Sequence, residues 1–170
     1  MTQEVLRNYL EINSIQDLNE VIEPNGDYSL NLLEPINFQL NKFFYKNIGK
    51  KHKWIDRLVW TEEQWIDYVS NKNVKTYVFK FKDDLAGFFE LIFHGEKKEV
   101  EIAYFGLLEE FQNKKLGSYL LSQAIQKSFN RNIHRVWVHT CSLDHKNALK
   151  NYMSRGMSIY NTEKISIKSA

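Results

Sequence analysis

Residues 112 to 118 read Gln112-Asn113-Lys114-Lys115-Leu116-Gly117-Ser118. Two cations, a glycine and several small polar groups meet there, at a point where a helical pattern begins. Leu116, Leu120, Leu121, Ala124 and Ile125 recur at offsets of four, five, eight and nine, the spacing of one helix face. The first N–H groups of a helix have no partner within it, and the helix dipole favours negative charge beside them. Gly117 allows close backbone approach, while Lys114 and Lys115 add positive charge. The chemistry on offer is the holding of an anion such as a phosphate. That physics suits any phosphorylated ligand and names none.

The element leading into this turn is extended. Val100, Ile102 and Tyr104 fall on one of its faces, and Glu99, Glu101, Ala103 and Phe105 on the other. Residues 99 to 129 therefore predict a strand, a polar turn and a helix over 114–130. Upstream, Tyr28 to Leu33 reads as a strand and Asn37 to Ile48 as a helix ended by Gly49. Thr61-Glu62-Glu63-Gln64 has the form of a capping box, opening a helix that runs to about Asn71. Thr76–Lys82 and Leu85–Phe93 read as strands joined by an Asp83-Asp84 turn. With the strand at 99 they make an antiparallel meander. Arg135–His139 is the next strand, and strand, helix, strand implies a parallel, right-handed crossover. A helix through Ala148, Tyr152, Leu149 and Met153 follows, with Arg155 in its last turn and Gly156 just past its end. Ser158 to Ile167 alternates as a final strand or hairpin arm. Residues 3 to 12 alternate loosely, so 1–27 is either a first strand or an N-terminal extension.

The chain has 170 residues, 43% hydrophobic and 14% aromatic, which predicts one globular domain over 1–170 with a substantial core. A net charge of +2 is too small to argue for nucleic acid or an anionic membrane. Cys141 is the one cysteine, so no intrachain disulfide forms, in keeping with a reducing cytoplasmic setting. The N-terminal segment lacks a basic start followed by an apolar core, and no apolar run approaches a membrane span.

The ordered residues carry a resemblance. Gln112-Asn113-Lys114-Lys115-Leu116-Gly117 resembles motif A of the GNAT superfamily, the GCN5-related N-acetyltransferases: Gln/Arg-x-x-Gly-x-Gly/Ala at a helix start. Glu101-Ile102-Ala103-Tyr104-Phe105 looks like that family's fourth strand. Asn147-Ala148 and Tyr152, followed by Gly156-Met157, resemble its motif B, Asn-Ala-x-x-x-Tyr-x-x-x-Gly-Phe/Met. The likeness covers roughly residues 75 to 160 and weakens back to about residue 28. Lys115 departs from the pattern by standing where the first motif glycine is usual. Its ammonium either reaches a coenzyme A phosphate or stays solvated at a helix start.

The resemblance implies an α/β (α+β) fold, with a mixed, mostly antiparallel sheet, one parallel β-α-β crossover and flanking helices. It implies that the two parallel strands splay apart to admit the thioester arm of acetyl-CoA. It also implies direct acetyl transfer to a primary amine, on a small molecule or a protein. An amine with a pKa near 10.4 must lose a proton first, and the departing thiolate gains from an acid. By resemblance Glu101 is the base and Tyr152 the acid. Gln112, Asn113, Lys114, Lys115, Leu116, Gly117, Ser118 and Asn147 bind the cofactor. Leu107 and Leu108 offer backbone groups to the pantetheine and the thioester oxygen. Trp54, Asp56, Arg57 and Trp60 are the acceptor-site candidates. Each has a plainer reading: a strand glutamate paired with a lysine, a core tyrosine, a helix N-cap at Asn147, tryptophans capping the core over an exposed Asp56-Arg57 pair.

His139, Asp144 and His145 have no zinc-motif spacing, and no serine is placed as an activated nucleophile. No metal is expected. A non-catalytic acyl-CoA-binding module, its motif A degenerate at Lys115, is the alternative function. A nucleic-acid binder using Lys50, Lys51 and Lys53 is disfavoured by the low net charge. The sequence leaves monomer and homodimer, acyl-chain preference and acceptor identity open, because variable loops build acceptor sites.

Overall fold

The loosely alternating N-terminal segment forms a full strand, β1 (Thr2–Ile12), because Leu10 and Ile12 turn one face into the core while Arg7, Tyr9 and Glu11 face the other way. The computed structural model describes residues 1–168. After β1 come β2 (Tyr28–Leu32), α1 (Phe38–Gly49), α2 (Glu62–Ser70), β3 (Val74–Phe81), β4 (Asp84–His94) and β5 (Glu99–Leu107). Then follow α3 (Leu116–Phe129), β6 (Arg135–Cys141), α4 (Ala148–Ser154) and β7 (Ser158–Lys168). One seven-stranded sheet runs in the order β2-β3-β4-β5-β6-β1-β7. Every neighbouring pair is antiparallel except β5 with β6, which the α3 crossover makes parallel.

Helices cover both faces. On one side α3 and α4 bury Leu120, Leu121, Ile125 and Tyr152 against Leu10, Phe79, Phe89, Ile102 and Val136. On the other, α1 packs Phe44 and Ile48 onto Val78, Phe88 and Leu108, with the Phe44 and Phe88 rings stacked at 4.8 Å. The helices start where the local chemistry says. Asn37 caps α1 by accepting from the Gln39 N–H, and Thr61 with Gln64 closes a reciprocal capping box on α2. Gly156 ends α4 with φ of +107°, and a Cβ there would stand 2.2 Å from the Asp17 carbonyl oxygen.

Two expectations on strand detail are corrected. The β3–β4 turn is Lys82-Asp83, with Lys82 at φ of 54° and β4 starting at Asp84. A register shift between Phe79 and Lys80 moves the hairpin by one residue. In β5 the alternation breaks: Leu91 pairs with Ile102 but Glu90 with Tyr104, leaving Ala103 as an extra residue. Val100 and Ile102 face α3, whereas Tyr104 turns to the α1 side and meets Trp54 and Tyr45 at 4.8 and 5.2 Å.

Candidate active site

Pairing between β5 and β6 covers three residues a side, Glu99 to Glu101 against Arg135 to Trp137. Beyond it β5 runs on to Leu107 and β6 to Cys141 without pairing to each other. The sheet opens there into a cavity of about 1090 Å³.

The start of α3 forms one wall. Lys115 sits at its N-cap in the left-handed region, φ 63°, and no side chain caps the helix. The first-turn N–H groups, which have no partner inside a helix, are therefore not taken by a cap. Lys115, Gly117 and Ser118 line the cavity with Gln112 and Asn113. Gln112 is braced by donating from Nε2 to the Leu107 carbonyl at 3.1 Å. From α4, Asn151 donates to the Gly117 carbonyl at 3.1 Å and locks the two helices together. Asn147 occupies the N-cap position of α4 without capping it, so its side chain is free to line the cavity. Tyr152 lines it too. Burial, and then Asp144, pushes its phenol well above the ordinary value, so the proton stays on Oη at neutral pH.

Arg155 was not foreseen. Its side chain lines the cavity with only 9% of the residue exposed, no carboxylate or hydrogen-bond acceptor meets it among the described residues, and its Nε is orphaned. Burial alone holds its pKa below the ordinary value. A buried, unpaired guanidinium beside an uncapped helix start suits an anionic ligand.

The connection from α1 to α2 supplies the other wall through His52, Trp54 and Asp56, with Tyr104 from β5. His52 Nδ1 donates to the Leu143 carbonyl at 3.1 Å, tying this connection to the β6–α4 loop, and its ring lies 6.2 Å from His145. His139 of β6 also lines the cavity; it stands beyond the last β5–β6 pair, against Tyr9 of β1 at 5.7 Å. Burial and then Arg7 lower its pKa, against the opposite pull of Glu101, Asp144 and Asp56. Cys141 is pushed up by burial and Asp144, which keeps it a thiol.

Leu107, Gln112, Asn113, Lys115, Gly117, Ser118, Asn147, Tyr152, Trp54 and Asp56 are thus brought together, and six other expected residues lie elsewhere. Leu116 is core, and Lys114 lies over the Phe111 ring at 5.6 Å. Leu108 is buried, and its N–H is spent on the Ala86 carbonyl at 2.8 Å. Glu101 accepts from His94 Nε2 at 2.9 Å, outside the lining.

Arg57 is buried, 6% exposed, and donates to Glu90 at 3.0 Å. Glu90 is fully buried and also accepts from Tyr68 at 2.6 Å and Asn41 at 2.8 Å. Five aromatic rings surround the guanidinium, those of Tyr45, Trp60, Trp65, Tyr68 and Tyr104, with centroids 4.2–5.6 Å away. Burial disfavours the Arg57 charge, but Glu90 together with Tyr68 and Tyr104 outweighs it. Arg57 and Trp60 therefore stand behind the wall that Trp54, Asp56 and Tyr104 present, because burying that charge requires an acid and β4 supplies one.

Among the described residues no group of three or more His, Cys, Asp or Glu is placed to hold a metal. No helix among them is long and apolar enough to cross a membrane.

The family described as acetyltransferase (GNAT) matches residues 37–157 of the chain. No curated protein matches it. Solved structures of similar fold include a GCN5-related N-acetyltransferase from Kribbella flavida, 14% identical, with a TM-score of 0.68 over 97% of this chain and 58% of that one. Another, from Sphaerobacter thermophilus, is 13% identical, with a TM-score of 0.71 over 95% of this chain and 50% of that one. The chain thus spans about half to three fifths of those proteins. A third is the spermidine N-acetyltransferase from Vibrio cholerae in complex with CoA and spermine, 17% identical, TM-score 0.63, covering 83% of this chain and 95% of that one.

Proposed function

The chain belongs to the acetyltransferase (GNAT) family, and on that footing we propose that it moves an acetyl group from acetyl-CoA directly to a primary amine. The observation that carries the reading is one cavity, opened where β5 and β6 part, that joins an uncapped helix start, an unpaired buried arginine and a protonated tyrosine. Those features fit an anionic, thioester-bearing cofactor. The first-turn N–H groups of α3, with Lys115 and Arg155, would hold its phosphates, and Asn113 and Asn147 would offer polar contacts. Bound there, acetyl-CoA supplies an activated acyl carbon and a thiolate leaving group. Tyr152 Oη, which keeps its proton at neutral pH, is the acid of the site.

Asp56 is an exposed carboxylate that lines the cavity with the aromatic side chains of Trp54 and Tyr104, on the wall we assign to the acceptor. It draws an ammonium, and the rings accept the carbon chain that bears it. A primary amine on a small molecule is the acceptor class this wall suits, and spermine, present in one structural neighbour, is the first to try. A cytosolic setting belongs to this reading and is consistent with the single cysteine.

Thermal-shift titration with acetyl-CoA, CoA and dephospho-CoA tests the cofactor half. A ligand held only by the folded state at a hundredfold excess over Kd adds about 2.7 kcal/mol, or roughly 5–10 °C in Tm for a chain of this size. Such a rise supports the reading. No rise at millimolar ligand refutes it.

A further inference from the structure

A primary ammonium entering this cavity must give up a proton, and the expected strand carboxylate is not placed to take it. Glu101 points at His94, whose ring lies along Trp137 at 6.2 Å. Asp56 lies open to solvent on the α1–α2 connection. Tyr104 has its phenol pushed up by burial and then by Tyr45, so it stays protonated. His145 Nδ1 already accepts the Asn147 N–H at 3.1 Å. His52 Nδ1 is engaged with the Leu143 carbonyl.

His139 differs from all of these. It is the second residue beyond the last β5–β6 pair, Glu101 with Trp137, and continuing that register sets it across the gap from Ala103. Ala103 is the extra residue of the β5 bulge, and its small side chain leaves the gap open on that side. Tyr9 backs the imidazole, and Tyr9 is itself fixed by donating to Glu163 at 2.7 Å. Neither ring nitrogen of His139 has a protein hydrogen-bond partner among the described residues.

We propose that His139 is the proton acceptor for the amine, a role that rests on the acetyltransfer reading above. The N–H bond of the acceptor ammonium breaks, its proton passes to an imidazole nitrogen, and the electron pair stays on the amine nitrogen for attack on the acyl carbon. The imidazolium then returns its proton to water through the open cavity. The charges facing this imidazole suit the task. Burial and Arg7 of β1 favour the neutral form that can take a proton. Glu101 of β5, Asp144 of the β6–α4 loop and Asp56 of the α1–α2 connection favour the imidazolium that results. Glu101 thereby acts as a tuning residue through His139.

The test compares wild type, His139→Gln, His139→Ala and Glu101→Gln with acetyl-CoA and spermine, following kcat against pH with and without added imidazole. The Tm rise with acetyl-CoA is followed on each protein. His139→Ala should lose about 10²–10³-fold in kcat, keep its acetyl-CoA shift, and recover activity with imidazole in its free-base form. Glu101→Gln should move the low-pH limb of the wild-type profile to lower pH, an effect that a merely structural role would not produce. Retention of kcat within about threefold of wild type by both His139 variants overturns the assignment while leaving acetyltransfer standing. So does a loss that imidazole does not restore. A wild type that binds acetyl-CoA but acetylates neither spermine nor any other primary amine removes the underlying reading, and this assignment with it.

Discussion

Removing the Tyr152 hydroxyl takes one proton from the cavity and leaves the ring against Phe105 and the core. Tyr152→Phe should therefore lower kcat by about 10²-fold while leaving the KM for acetyl-CoA unchanged, as steady-state kinetics will show. Glu90 works differently, since it neutralises Arg57 inside a ring of aromatics. Glu90→Ala leaves a buried guanidinium without its acid, and urea denaturation should register a loss of about 3–5 kcal/mol. Asp56 and Arg57 illustrate what a sequence withholds at this scale. Both are charged, both follow Trp54, and the local pattern treats them alike. What separates them is Glu90 on β4, a partner 33 residues away that only the folded sheet brings near. Tyr152 and Asn147 were legible because a helix fixes their spacing and the motif is continuous. His139 and Arg155 had no such signal. A histidine on a strand and an arginine ending a helix gain meaning from the gap beside one and the missing acid beside the other.

At the scale of elements, the entry to α3 holds a strained lysine. Lys115 takes φ of 63°, where a side chain costs about 1–2 kcal/mol that glycine avoids. Glycine gives back part of this through the freedom it loses on folding, about 0.5–1 kcal/mol. Lys115→Gly should thus raise Tm by roughly 1–4 °C without ligand, measured by calorimetry. The departure from the motif costs stability, then, and leaves the backbone path of the turn intact. Helix starts were readable because caps are local: Asn37 and the Thr61–Gln64 box depend on residues two or three positions apart. Strand detail was less readable. The bulge at Ala103 and the displaced Lys82-Asp83 turn both arise from register with β4, and pairing across strands has no counterpart within one segment. The bulge matters for the site, because it turns Tyr104 away from the α3 core and onto the cavity wall formed with the α1–α2 connection.

For the molecule as a whole, the meander, the crossover and the order of helices follow from contiguous pattern, and the seven-stranded sheet has them. The place of β1 does not, since it enters between β6 and β7, strands from the far end of the chain. Its loose alternation reflects one face on the core and another carrying Arg7, Tyr9 and Glu11. The cavity also couples the fold to pH. Burial holds both His139 and His145 below the ordinary histidine value. Above about pH 6.5 both are neutral, folded or unfolded, and their contribution is complete. As pH falls below that, the unfolded chain takes up protons first, so stability declines until the depressed folded values are passed. Tm should therefore fall between pH 7 and pH 5, and less steeply in the His139→Gln, His145→Gln double variant. The most direct test of the central claim is one reaction read twice. The protein is incubated with acetyl-CoA and a panel of primary amines headed by spermine, with acetylated amine measured by mass spectrometry and free CoA thiol measured alongside. Acetylated amine and thiol should appear in equal amounts, at a rate far above the protein-free control. Thiol release no faster than that control, with no acetylated amine in the panel, would contradict the claim.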